Sequence, residues 1–155
     1  MQFRFSGLDS AQFAPLSRLG DAELASAGIR RVVADSKPGF PCRVTLEDAE
    51  PGERLLLLPF EHQPVHTPYR ARGPIFVREN AEQIFDRVGV LPDVLAGRML
   101  SVRAYAQDGM MVDADVAEGD ALAPLLERLF CRPETAYAHI HFAKRGCYAC
   151  RVERA

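Results

Sequence analysis

Apolar and polar residues alternate with period two over two stretches of this chain, and a three-residue turn ending in glycine interrupts each. Met99–Ala106 and Met110–Val116 flank Gln107-Asp-Gly109, and Tyr137–Ala143 and Cys147–Glu153 flank Lys144-Arg-Gly146. Glycine in the third loop position supplies the positive φ that this hairpin connection needs, so the spacing predicts two β-hairpins, 99–116 and 137–153. In the first, pairing Ala106 with Met110 sets Arg103 opposite Asp113. It gathers Leu100, Val102, Ala104, Val112, Ala114 and Val116 on one apolar face. In the second, pairing Ala143 with Cys147 sends Ile140, Phe142, Tyr148, Cys150 and Val152 to the core. Tyr137, His139, His141, Cys147, Ala149 and Arg151 then share the opposite face.

Helical spacing is clearest over 120–130, where Leu122, Leu125, Leu126, Leu129 and Phe130 fall on one side. A shorter helix over 21–27 ends at Gly28, and residues 81–88 and 92–96 also read as helical, the last with Pro92 at a first helical position. Phe3 and Phe5, Ile29–Ala34, Cys42–Leu46, Leu55–Leu58 and Ile75–Arg78 have strand patterns. Between the last two lies Pro59–Pro74, with prolines at 59, 64, 68 and 74, which reads as a long ordered loop of the kind that carries function. The pattern as a whole predicts a single α+β domain over 1–155, mainly antiparallel sheet with a few packed helices.

Composition narrows the classes. A chain of 155 residues buries roughly 68–70% of its unfolded surface and needs no staple or metal to fold. A formal charge of −2 excludes the overall basicity of a nucleic-acid module. The longest purely apolar run, Leu55–Phe60, falls far short of the ~20 residues of a membrane helix. With no export signal at the start, the expected location is the cytoplasm, where Cys42, Cys131, Cys147 and Cys150 stay thiols. Seventeen arginines against two lysines fit a GC-rich coding sequence, so position and not abundance must decide which arginines bind anions.

Several side chains carry candidate chemistry. His139 and His141, two apart on a strand, project to one side. With His62 or His66 as a third ligand they would hold zinc or another divalent metal; otherwise they are strand histidines hydrogen-bonded to their neighbours. Cys147 on the same face would pair with His141 as a nucleophile, with Cys42 as the alternative thiol. The Cys147-x-x-Cys150 spacing lacks the helix of a redox motif and the knuckle of a zinc half-site, which leaves Cys150 a small core residue. Arg43, Arg70, Arg72, Arg78 and Arg103 are candidates for carboxylate or phosphate recognition, set against ordinary structural pairing, with Arg103–Asp113 expected as a cross-strand pair.

Three stretches taken together resemble a known family: Asp35-Ser-Lys-Pro-Gly-Phe-Pro-Cys-Arg-Val-Thr-Leu-Glu-Asp-Ala49; Glu61-His-Gln-Pro64 with Pro68-Tyr-Arg-Ala-Arg-Gly-Pro-Ile-Phe-Val-Arg-Glu79; and His139-Ile-His-Phe-Ala-Lys-Arg-Gly-Cys-Tyr-Ala-Cys-Arg-Val152. Over nearly its whole length the chain is similar to the bacterial domain-of-unknown-function family DUF1203. The resemblance implies that domain alone, without a fused partner, and brings no activity, cofactor or catalytic residue with it.

The residues point to a small-molecule site, with catalytic candidates His139, His141 and Cys147 and ligand-binding candidates His62, Arg70, Arg72 and Arg43. An anionic ligand would suit them. The alternative is a non-catalytic interaction module, of which a homodimer would be one form, marked by an exposed apolar patch around Phe40, Phe60 and Phe76. No nucleic-acid or membrane partner is expected.

Overall fold

Both hairpins form, and they become the middle of a larger sheet. The structure is a computed structural model describing residues 1–155. In chain order its elements are β1 (Phe3–Ser6), α1 (Asp21–Ser26), β2 (Arg30–Val33), β3 (Arg54–Gln63), β4 (Ala71–Arg78), β5 (Asp86–Val88), β6 (Met99–Tyr105), β7 (Met111–Glu118), α2 (Leu122–Phe130), β8 (Tyr137–Phe142) and β9 (Tyr148–Arg154). Six strands make one antiparallel sheet in the order β5-β1-β9-β8-β6-β7, and β2-β3-β4 make a second. The chain is α+β. No helix is long and apolar enough to cross a membrane.

The main core lies where α2 covers the large sheet. Leu122, Leu126, Leu129 and Phe130 are buried there against Leu100, Val102, Ile140, Cys150 and Val152. Removing one such leucine side chain costs about 2–5 kcal/mol. A second cluster, with Phe13, Leu24, Cys42 and Val44, packs on Leu56, Leu58, Ile75 and Val77 of the small sheet. All six residues of β8 are buried, because its Ala138-Ile140-Phe142 face meets the α2 core while its Tyr137-His139-His141 face meets aromatic side chains from both sheets.

Several sequence expectations are corrected. The Pro59–Pro74 stretch is not one irregular loop: β3 and β4 pair through it, with Pro59 opposite Pro74, and only 64–70 connects them. Proline lacks a donor, but Phe76 turns its carbonyl outward to Arg43 N–H, and two residues along Pro74 and Pro59 likewise form a non-hydrogen-bonded pair, where neither strand looks to the other for a donor. Residues 81–88 are not a helix. Phe85 N–H donates to Val44 O, Gly7 N–H donates to Phe85 O, and β5 pairs with β1. These tertiary pairings override a short segment's helical preference. The expected helix at 92–96 is a single 3-10 turn, Asp93–Leu95. The Cys42–Leu46 strand reduces to isolated bridges, with Leu46 at φ 51°.

The largest correction concerns β7. Ala106 N–H does donate to Met110 O, as the turn predicts, and Tyr105 faces Met111. A bulge at Val112 then shifts the register, so Ala104 faces Asp113 and Val102 faces Asp115. The expected apolar face of β7 is turned over, and Val116 is 59% exposed. Asp113 pairs with Arg128 and Arg132, and Asp115 with Arg128, in place of the expected Arg103–Asp113 pair. β7 is an edge strand, and acids directed toward the helix side are one way such edges are kept from pairing with other chains.

The 107–109 turn also braces the second sheet. Gly109 has φ 86°, and a Cβ there would come within 2.7 Å of Val65. Gly146, in the matching turn, has φ 76° with open space around it. Gly109→Ala should therefore cost more than Gly146→Ala: about 1–3 kcal/mol from the backbone strain common to both, plus displacement of Val65. Thermal unfolding of the two variants side by side checks this, and equal losses would remove Val65 from the account.

Candidate functional site

Three histidines meet between the sheets. His62 continues the inward face of β3 after Leu56, Leu58 and Phe60, while His139 and His141 alternate along β8. The His62 ring centroid lies 4.9 Å from that of His141 and 6.1 Å from that of His139. Tyr148 stacks on His62 at 5.3 Å and 14°, and its ring meets those of His139 and His141 nearly at right angles. Tyr105 and Tyr137 close the layer on the His139 side. Gln63 fixes the end of β3, its amide nitrogen 2.9 Å from the Tyr137 hydroxyl and 3.3 Å from the Gly109 carbonyl.

The imidazoles are held neutral. Burial pushes His139 down to about 2, helped by nearby His141 and Arg151, and pushes His141 down to about 3 against the opposing pull of the Gly146 carbonyl. Burial lowers His62 as well. His141 Nδ1 lies 3.0 Å from the Gly146 carbonyl, which only accepts, so Nδ1 carries the hydrogen. His141 Nε2, His139 Nδ1 and both nitrogens of His62 have no hydrogen-bond partner. In edge-to-face contacts an N–H edge lies against a ring's negative face, a weak substitute for a hydrogen bond.

The expected metal site thus has its three candidate ligands close together, but no three His, Cys, Asp or Glu side chains are arranged to hold an ion. His62 meets both other rings edge to face, while His139 and His141 are tilted to each other at 43°. His66 is exposed in the 64–70 connection.

Cys147 leaves the histidine face. The expected register holds from Ala138 to Ile140, where Ile140 faces Cys150, but a bulge then pairs His141 with Tyr148. Tyr148 therefore joins the histidines, Ala149 enters the α2 core, and Cys147 falls on the other side. There Arg43 meets it. Arg43 is 1% exposed. Its Nε donates to the Tyr148 carbonyl at 2.7 Å, one Nη donates to the Pro41 carbonyl, and the other lies 3.2 Å from Cys147 Sγ. No carboxylate touches it. Burial pushes the guanidinium below its ordinary value, with the Cys147 and Cys42 sulfurs acting the other way.

Arg43 and Cys147 line a cavity of about 350 Å³ together with Arg98, Lys144, Arg145 and Phe142. The lining holds four cations and no carboxylate. Arg98 is neutralised by a two-pronged bond to Asp48, 2.9 and 3.0 Å long, while Lys144 and Arg145 are exposed at the rim. The Phe142 ring receives both Arg43 and Arg98 within cation–π range, at 5.0 and 5.2 Å.

The other arginine candidates lie elsewhere. Arg70 is exposed and grips Glu61 with two bonds of 3.0 and 3.2 Å, holding that carboxyl below the usual carboxylate range. Arg72 is exposed beside it. Arg78 ties Glu47 to Glu53. Sequence reasoning missed Tyr148, hidden by the bulge, and Lys144, Arg145 and Arg98. The two turn residues were discoverable, since a hairpin's loop side chains lie next to the residue that starts its second strand.

Among family models, the one described as Protein of unknown function (DUF1203) matches residues 39–154. No curated protein and no solved structure matches the chain.

Proposed function

The chain belongs to the DUF1203 family, whose description names no activity, and from this chain's own geometry we propose that it binds a small carboxylate- or phosphate-bearing molecule in the Arg43 cavity. The observation that carries this reading is a buried guanidinium with no carboxylate partner. A charge in the interior is costly unless an opposite charge or a full set of hydrogen bonds compensates it. Arg43 has five N–H donors, of which three are engaged, leaving two for an occupant of the cavity it lines. Lys144 and Arg145 at the rim add attraction for an incoming anion. The cavity's size fits a small molecule and not a macromolecule.

Citrate serves as the probe. At constant ionic strength it should raise the unfolding temperature saturably, by the equivalent of about 1.4 kcal/mol at ten times its Kd. Lys144→Ala with Arg145→Ala should weaken that binding by roughly tenfold, while Arg70→Ala with Arg72→Ala should leave it unchanged. Absence of saturable binding, or an equal loss in the two double variants, would sink the reading.

The interaction-module alternative is less well supported. Phe40 packs on Phe76 at 5.2 Å, and Phe60 on Phe13 and Tyr148, so the expected aromatic patch is half-buried within the fold.

A further inference from the structure

We propose that Cys147 is a nucleophilic thiol which exchanges with low-molecular-weight disulfides bearing carboxylates, bound in the Arg43 cavity. The inference rests on the anion-binding reading above and adds covalent chemistry to it.

Three observations support it. First, Cys147 is not an isolated thiol: a buried guanidinium lies 3.2 Å from its sulfur, and it lines a cavity with Lys144 and Arg145 as well, Arg98 there being neutralised by Asp48. The thiolate is the attacking form, and electropositive, partly open surroundings are where reactive cysteines sit. Cys147 is half-buried and lines the cavity. Second, no imidazole serves it, since His141 lies on the opposite face of the hairpin. Acyl transfer to a thiol needs an acid to protonate a leaving amine. Disulfide exchange needs none, because a thiolate leaves unaided. Third, no second thiol is placed to resolve the product. Cys42 and Cys150 are buried, and burial pushes the Cys150 thiol up to about 12. The mixed disulfide therefore persists.

The step balances without a further reactant. Cys147 Sγ attacks one sulfur of the disulfide, and a new S–S bond forms as the old one breaks. The departing thiolate takes the electron pair and gains a proton from water. Cys147 is oxidised and one half of the substrate is reduced. The cations at the rim select for carboxylates on the incoming molecule, and Arg43 provides the counter-charge at the sulfur.

The test compares oxidised glutathione, which carries carboxylates, with cystamine, a cationic disulfide, on the full reduced chain. Intact mass and peptide mapping report the modification rate at each thiol. Cys131, exposed and outside the cavity, is the internal reference. The expected result is that Cys147 takes one glutathione at least about tenfold faster than Cys131 and prefers glutathione disulfide over cystamine by a similar factor. Both advantages should shrink in the Lys144→Ala, Arg145→Ala double variant, whose changes are on exposed residues, and at roughly 0.5 M salt. If Cys147 reacts no faster than Cys131, or takes both disulfides equally, the inference is overturned. Citrate binding in Cys147→Ser separates the two readings. Retained binding with no privileged reactivity at Cys147 in the parent chain leaves anion binding standing alone. Loss of saturable citrate binding from the parent chain removes both.

Discussion

Acidification from pH 7 to pH 4.5 should unfold the protein, with a net uptake of about two protons per molecule across the transition. His139 and His141 are responsible. Each is almost wholly shielded from water, and each titrates far below the ordinary imidazole, near 2 and 3. Burial is the main cause, and the charged side chains that reach them, Arg151, Arg103 and Arg43, are all cations. Between about pH 6.5 and pH 3 the unfolded chain binds protons that the folded chain refuses, so stability falls as the pH falls. Above the unfolded value both states are neutral and the full stability is present. Each histidine costs about 1.4 kcal/mol per pH unit within that window. At pH 4.5 the pair together costs roughly 5–6 kcal/mol, comparable to the whole stability of an ordinary domain, about 5–15 kcal/mol. The carboxylates with lowered values, Asp86, Asp113 and Glu61, are solvated and weigh little beside this. Urea unfolding measured from pH 7.5 to pH 4 gives the slope directly. His139→Phe keeps a ring in the layer and removes one titrating group, so it should lower the slope by about one proton, or about 1.4 kcal/mol per pH unit. An unchanged slope in that variant would assign acid sensitivity to other groups.

Arg43→Ala should be the most damaging single change at the cavity, costing about 3–5 kcal/mol. The side chain spans from Pro41 to β9, and its loss leaves the Tyr148 and Pro41 carbonyls without donors and a void beside Phe142. Arg43→Met keeps much of the stem's packing and removes the desolvated charge, so it should lose only about 1–3 kcal/mol, the cost of the unpaired carbonyls. Citrate should then fail to stabilise the methionine variant although it is folded. Denaturant midpoints at unchanged m-value give both numbers. A loss below about 1 kcal/mol in Arg43→Ala would show that the guanidinium does not hold the hairpin.

The elements whose order follows from local spacing were legible in the sequence: both hairpins, the helix over Leu122–Phe130 and the strand alternation that turns His139 and His141 the same way. The family resemblance, too, was legible from three stretches. Failures cluster where tertiary pairing adds a residue. One bulge at Val112 reverses β7, and another beside Ala149 exchanges Tyr148 with Ala149 and takes Cys147 away from His141. Period-two counting cannot register an inserted residue, because each half of a bulged strand still alternates correctly. Pro59–Pro74 failed for a different reason. Proline suggests a break, and only the placing of Pro59 and Pro74 at a non-hydrogen-bonded position of the ladder makes both tolerable in paired strands. Arg43 was one of several arginines of equal standing in the sequence; its lack of a carboxylate is a property of the packed interior alone.

The large sheet brings the first strand beside the last: β1 lies between β5 and β9, with Phe3 opposite Arg154. During synthesis β1 can find β5 once residue 88 has left the ribosome, yet that two-strand ribbon has no further neighbour until β9 emerges. β6, β7 and β8 can pair before β9 does, and β9 then joins them to β1, so the sheet closes through contacts far apart along the chain, which is the slow regime of folding. Until then Phe3 and Phe5, which end buried in the main core, lack the β9 side chains that pack on them.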